Sequence, residues 1–481
     1  MALSLQPRTD GFRLDPPPYF PPTFPAQTPP SQSPNENSPK YPFYRPPPLV
    51  RPVYPRLSSQ ATATVEEVEP DVEPEVVQEL PTVKLSKKIH VLGFDPNAKF
   101  VVHALAAVPG LPPVQLLTHR TQTMTCWGQE GRAITVYNSG KMGKGNITSR
   151  EIPCPEHIGL GHSIAQLERG GFFLHNIVVS TINTAICNSL FALRHRIDRR
   201  TTICLLNTGL GMMEQLNERV FDDPGTRPNY VLGHSRHILR RHSHHNKYSL
   251  DHKSGNLLLY AVPRDYEDPD LDLETAQHLS KQHVHNLIAL LSSAEDLKAT
   301  EVSWEAFLHA KLPGMIFQSL ANTISVIMGC SFDQLRKNKH AMDFWERLSR
   351  ETLHIVTSLP EFQNNADQTM LKAFTKESFA KRLKQSLRQC DKYSTWISMI
   401  RRGWLPPVDL INGYFVKRAK ELELSYSMNS LAIYIVKARY ASRRNELEAD
   451  IPLSLMAKMD DQDKISSSQD GYDPNVDIEL D

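Results

Sequence analysis

The sequence predicts an α/β domain built on a doubly wound, Rossmann-like parallel sheet, followed by an all-α domain, with disordered termini. Three observations carry this. From Lys84 to Pro263 short apolar strands alternate with helical runs, the pattern of a parallel sheet. Beyond Asp268 the apolar spacing is almost wholly helical. The ends cannot build a core: seventeen of the 36 prolines precede residue 60, and the chain after Glu446 is acidic and polar. The expected limits are 1–83 for the proline-rich and acidic extension, 84–300 for the α/β domain, 301–446 for the helical domain and 447–481 for the tail.

Composition narrows the classes. Fifty-four basic residues against 53 acidic ones give a net charge of +1, so no global field draws the chain to nucleic acid or membrane, and such affinity needs a local patch. No run approaches the ~18 apolar residues of a transmembrane segment. The six cysteines lie apart without a C-x-x-C pair, which points to reduced thiols and away from zinc; no metal site is expected. The N-terminus has no apolar secretory core, so a mitochondrial or cytoplasmic location is expected rather than secretion.

In chain order, KIHVL is the opening strand, GFDPNA the turn into the first helix, and VQLLTHR the second strand. ITVYNS, FFLHNIVVSTI, TTICLLN, NYVLGHS and NLLLYAVPR supply further strands, with helical runs INTAICNSLFALRHRI and MMEQLNERVF between them. The stretch from His234 to Lys253 reads as a polar excursion. Among the later helices, Pro313, Pro360 and the LPP of 405–407 are expected breaks. The opening turn has the outline of a dinucleotide cradle, G-x-G-x-x-G/A, in which Gly93 allows the tight turn and Ala98 supplies the third small residue. Asp95 stands at the middle position, where backbone should approach phosphate, and Pro96 lacks an N–H to donate.

Four segments in order, LLTHR after KIHVLG, LLNTGLGMMEQLNERVF, NTISVIMGCSFDQL and RRGWLPPVDLINGYFVKRAKELEL, resemble the ketopantoate reductase (2-dehydropantoate 2-reductase) family, in a divergent, fungal-like form. The likeness spans Lys87 to Arg444. It implies a Rossmann-like domain, a helical domain of the 6-phosphogluconate-dehydrogenase type, NADP(H) as cofactor, a 2-oxo acid as substrate, and an active site in the cleft between the two domains.

Carried over residue by residue, the resemblance places Gly93, Ala98, His119, Arg120, Thr208 and Gly209 at the cofactor, the basic pair facing a 2′-phosphate. Thr208 stands where the family has Asn, and Thr181 where it has Lys. The general-acid lysine falls on Lys311 in one register. The other register keeps Asn322, with Gln318 beside it, and puts Gly314 at the lysine position. Lys311, Gln318 and Asn322 would share a face if the helix ran unbroken through Pro313–Gly314, where an interruption is expected. Thr395 takes the family's serine position and Pro407 its glutamate position, with Asp409 as the nearest substitute carboxylate.

The scaffold signals are kept while the groups at 95, 208 and 407 are replaced. The expectation is therefore a catalytically degenerate binding or regulatory factor, with mitochondrial gene expression as a setting; the alternative is an active NADPH-dependent reductase of 2-dehydropantoate or a related 2-oxo acid. Two basic segments, 234–253 and 372–393, could meet RNA or a ribonucleoprotein. The histidines at 242, 244 and 245 lack the further ligands a metal would need.

Overall fold

A computed structural model describes residue 83 and residues 85–118, 126–129, 131–138, 146–158, 173–181, 183–242, 248–264, 272–363, 369–375, 377–389 and 394–450. Apart from these, the extension, the tail from 451, and the positions His119, Arg120, His244 and His245 lie outside the described residues. Everything described falls in one compact unit, Val77–Asp481.

The main sheet has eight strands: β1 (Ile89–Leu92), β2 (Gln115–Thr118), β5 (Glu156–His157), β6 (Asn176–Val179), β7 (Thr202–Leu206), β8 (Asn229–Ser235), β11 (Leu257–Ala261) and β12 (Ala299–Glu301). Their order is β12-β11-β8-β7-β6-β1-β2-β5, parallel except where β11 runs against β8. The central strands are buried along their whole length, as strands covered on both faces must be. Helices α1 (Pro96–Leu105) and α4 (Leu273–Ser292) lie against one face with one apolar cluster. On the other, residues of α2 (Asn183–Leu193) and α3 (Met212–Arg219) join the helical domain in a second cluster.

A second, four-stranded sheet departs from the expected pattern. It consists of β3 (Ala133–Asn138), β4 (Asn146–Glu151), β9 (Ile238–Arg241) and β10 (Ser249–Lys253), in the order β4-β3-β10-β9. ITVYNS therefore belongs here and not to the doubly wound sheet. Much of the 234–253 stretch, read as a polar excursion, is strand, because Leu239 and Leu250 alternate with polar neighbours and are buried. This sheet covers α1, and every residue of that helix is buried.

The helical domain comprises α5 (Trp304–Met328), α6 (Phe332–Lys337), α7 (Lys339–Thr357), α8 (Pro360–Gln363), α9 (Thr369–Thr375), α10 (Glu377–Gln389), α11 (Thr395–Arg401), α12 (Val408–Glu421) and α13 (Ser427–Asp450). The interruption expected at Pro313 does not occur: α5 runs unbroken from its Ser303 N-cap to Gly329 in the left-handed region. Proline there removes one backbone donor, and packing of α5 against α7, α11, α12 and α13 outweighs that loss. Pro360 opens a helix, as first-turn prolines do. Helix α13 continues four residues past the expected start of the tail at 447. Among the described residues no helix is long and apolar enough to cross a membrane.

The second sheet is tied to α1 by neutral histidines. Arg150 donates to His103 Nδ1 at 3.1 Å, so the ring's Nε2–H faces Thr148 O at 3.2 Å. His237 and His252 lie 3.0 Å apart, and Phe100 stacks on His252. Burial, reinforced by Arg150, pushes His103 down to about 4. Burial, with Lys88 and Arg196 nearby, does the same to His90 in β1. The fold prefers the uncharged rings, so their contribution is complete above the unfolded value of about 6.5 and is lost as pH falls toward 4. Each ring accounts for a loss of up to roughly 3 kcal/mol as pH falls from about 6.5 to about 4. Urea denaturation followed from pH 7 downward should show stability falling steeply below about pH 6.5, with a shallower fall in His103→Asn; a flat profile in the wild type would refute this assignment.

Candidate active site

The opening turn is occupied by its own side chain. Asp95 is the N-cap of α1: its Oδ1 accepts from the Ala98 backbone N–H at 2.8 Å, and its Oδ2 accepts from the Ser180 hydroxyl at 2.9 Å. Pro96 fills the first helical position and brings no N–H. Gly93 has φ +128, and a Cβ on it would lie 1.7 Å from the Ser180 carbonyl, so the turn is seated directly on the end of β6. Ala98 is fully buried, as expected of the small residue that lets helix meet sheet. The carboxylate thus stands where a helix N-terminus would otherwise take an outside anion. Thr181, expected from the resemblance to stand at a lysine position, lies beside Gly93.

At the tip of β7 the chain presses on the helical domain. A Cβ on Gly209 would meet Leu410 Cβ at 2.6 Å and Leu410 O at 2.7 Å, so only glycine permits this approach. Thr208 is buried beside it. Asn207 holds φ +55 with its Oδ1 accepting from the Ser235 N–H, and its Nδ2 is buried without a protein partner. Glu214 on α3 and Lys417 on α12 form an ion pair at 2.9 Å across the same junction.

Lys311 is 8% exposed, and its charge acts on His234 of β8. Burial, then Lys311 and Arg236, push that imidazole well below its usual value; it bonds to the Ala310 carbonyl and packs edge-on against Phe307. His234 Nδ1 is buried without a partner. Because α5 is continuous, Lys311, Gln318 and Asn322 do share a face. Eleven residues nevertheless separate Lys311 from Asn322, about 16 Å along the axis.

Asn322 is engaged elsewhere. Ser394, the buried N-cap of α11, donates to its Oδ1 at 2.8 Å. The hydroxyl that reaches Asn322 is therefore that of Ser394, one residue before Thr395. Nearby, Thr323 donates to Asn412 Oδ1 at 3.0 Å, and Asn412 Nδ2 reaches Ser319 O and Asn429 Oδ1. Glu351 accepts from the Met428 and Asn429 N–H groups at the start of α13. These buried amides lock five helices together. Pro407 precedes α12 without a capping bond, and the substitute carboxylate, Asp409, is paired with Lys437 at 2.8 Å on α13.

Sequence reasoning missed Ser180, Asn207, His234 and Ser394. Two carried a signal: a serine just before a helical run is a cap, and asparagine tolerates the left-handed region. Ser180 and His234 carried none, since their importance arises from neighbouring strands. Among the described residues no group of three metal-ligating side chains converges.

Residues 306–440 match the family model "Ketopantoate reductase PanE/ApbA C terminal". The structure is similar to a putative 2-dehydropantoate 2-reductase from Enterococcus faecalis, at 13% identity over 74% of this chain and 99% of that one, with a TM-score of 0.50. A probable 2-dehydropantoate 2-reductase from Bacillus subtilis shares 18% identity over 73% and 99% of the two chains, TM-score 0.43. A D-mandelate dehydrogenase solved with NADH and anilino(oxo)acetate shares 13% over 74% and 99%, TM-score 0.49. No curated protein sequence matches the chain.

The two neighbouring hydroxyls can be separated by mutation. Ser394→Ala should cost about 1–2 kcal/mol in urea denaturation, through loss of both the cap and the bond to Asn322. Thr395→Ala should cost less than about 0.5 kcal/mol, and equal losses would contradict the geometry.

Proposed function

We propose that this chain, whose residues 306–440 match the ketopantoate reductase C-terminal model, keeps the reductase scaffold without hydride transfer and acts as a binding or regulatory factor. One observation carries this reading: the Asp95 carboxylate caps α1 and holds Ser180. A dinucleotide needs α1's N-terminal N–H groups for its pyrophosphate. Here the Ala98 N–H is given to an internal anion, Pro96 has none, and a second negative group would meet the first at close range. The residues present do not fit NADP(H). The other replacements point the same way, since Asn322 is held by Ser394, Asp409 by Lys437, and no carboxylate stands at Pro407.

A second reading, NADPH-dependent reduction of 2-dehydropantoate or a related 2-oxo acid, draws on Lys311 beside His234 and on the unspent Asn207 Nδ2 and His234 Nδ1 near the carboxyl edge of the sheet. Such an edge is where ligands lie in open α/β sheets.

An NADPH fluorescence titration separates the two. The wild type should show no binding at millimolar cofactor, and Asp95→Gly should gain measurable affinity. Micromolar binding by the wild type that is lost in Arg120→Ala, with ketopantoate-dependent NADPH oxidation abolished by Lys311→Ala, would establish the reductase instead.

A further inference from the structure

The second sheet spends one face on α1 and turns the other outward. Ile134, Val136 and Leu250 point inward and are buried. The alternate residues form a row across all four strands: Ile147 opposite Tyr137, Tyr137 opposite Asp251, and Asp251 opposite Arg240. His242, the residue after β9, folds back over this row. Its ring lies on Tyr137 with centroids 3.6 Å apart and planes within 7°, and its Nδ1–H donates to Asp251 Oδ1 at 2.6 Å. An exposed flat ring is thus fixed from below by an aromatic and from the side by a carboxylate. Ile147, 65% exposed, borders it on one side, while exposed Arg240 and Lys253 lie on strands of the other, with exposed Arg236 in the connection that precedes β9.

Such a surface suits a base and its phosphates. Bases stack on flat rings whatever their identity, and basic side chains follow the backbone. Charge favours this partner: His234 to Lys253 holds five Lys or Arg against one Asp in a chain of net charge +1. The other basic segment is less suited, because on α10 Lys381 is paired with Glu377 at 3.1 Å and Lys384 with Glu346 at 2.8 Å.

We propose that the outer face of the second sheet binds single-stranded nucleic acid, with a base stacked on the His242–Tyr137 pair and the backbone following Arg240 and Lys253. This names a partner for the binding factor proposed above and rests on that reading for its biological sense. The face shares no residue with the Asp95 turn.

The test is fluorescence anisotropy of the full chain with a labelled mixed-sequence single-stranded RNA, the same sequence as single-stranded DNA, and a duplex. Both single strands should bind more tightly than the duplex; tighter binding of one would identify the natural strand. His242→Ala should weaken binding roughly tenfold, His242→Phe should restore it, and Arg240→Gln should lower the slope of log affinity against log salt by about 0.7. Lys381→Glu should have no effect. Absence of binding, binding unchanged in His242→Ala, or loss on Lys381→Glu alone would each overturn the proposal. NADPH binding by the wild type would refute the proposed function and leave this surface standing, whereas failure here would leave the Asp95 argument intact.

Discussion

The two bonds accepted by Asp95 hold together the parts on which the α/β half depends. Helix α1 is buried on all sides, so the N–H groups of its first turn need a partner from within the protein. Asp95 supplies that partner and, through Ser180, fastens the helix to the end of β6. A carboxylate at a helix N-terminus is favoured by the dipole, and a charged acceptor strengthens each bond to about 1.5–3 kcal/mol. An external phosphate would satisfy the same donors only while bound. The internal one is always present, and the second sheet can therefore close over a helix that is already complete.

The helical half follows a similar logic. Side chains that could face a cleft are turned inward to one another: Asn322 to Ser394, Asn412 to Thr323 and Asn429, Glu351 to the start of α13. A buried network of this kind is favourable only when its members are satisfied. Asn207 and His234 remain outside it, each with one buried polar atom unspent, at the place where the sheet meets α5 and α12. The two halves share one apolar cluster reaching from Val179 and Leu205 in the sheet to Phe307, Leu410 and Phe415 in the helices. With Gly209 against Leu410, that continuity makes the junction a packed interface.

Much of this was legible in the sequence. Alternating apolar strands and helical runs gave the doubly wound sheet followed by helices, and Asp95 stood out as the wrong residue for a phosphate cradle. Its positive role was not legible, because Ser180 directly follows β6, which becomes a neighbour of Asp95 only through β1–β6 pairing. The second sheet was hidden for the same reason: β3 pairs with β10, and β10, with Leu250 as its single apolar residue, reads as part of a polar loop. Pro313 was read by local propensity, which tertiary packing overrode. The shift from Thr395 to Ser394 turns on one residue of register, the scale at which alignment of short motifs is least secure.

The pairing of β3 with β10 also bears on how the chain is made. Thr135 lies opposite Ser249, so the sheet that covers α1 cannot close until the segment after β8 has been synthesised. Until then the outward side of α1, where Phe100 stacks on His252 of the second sheet, has no lid. Pairings this distant in sequence form slowly, and the apolar surface they leave open in the meantime favours association. The nascent α/β half thus carries a sticky flank through much of its own translation, and a chaperone that binds extended apolar surface would find it there.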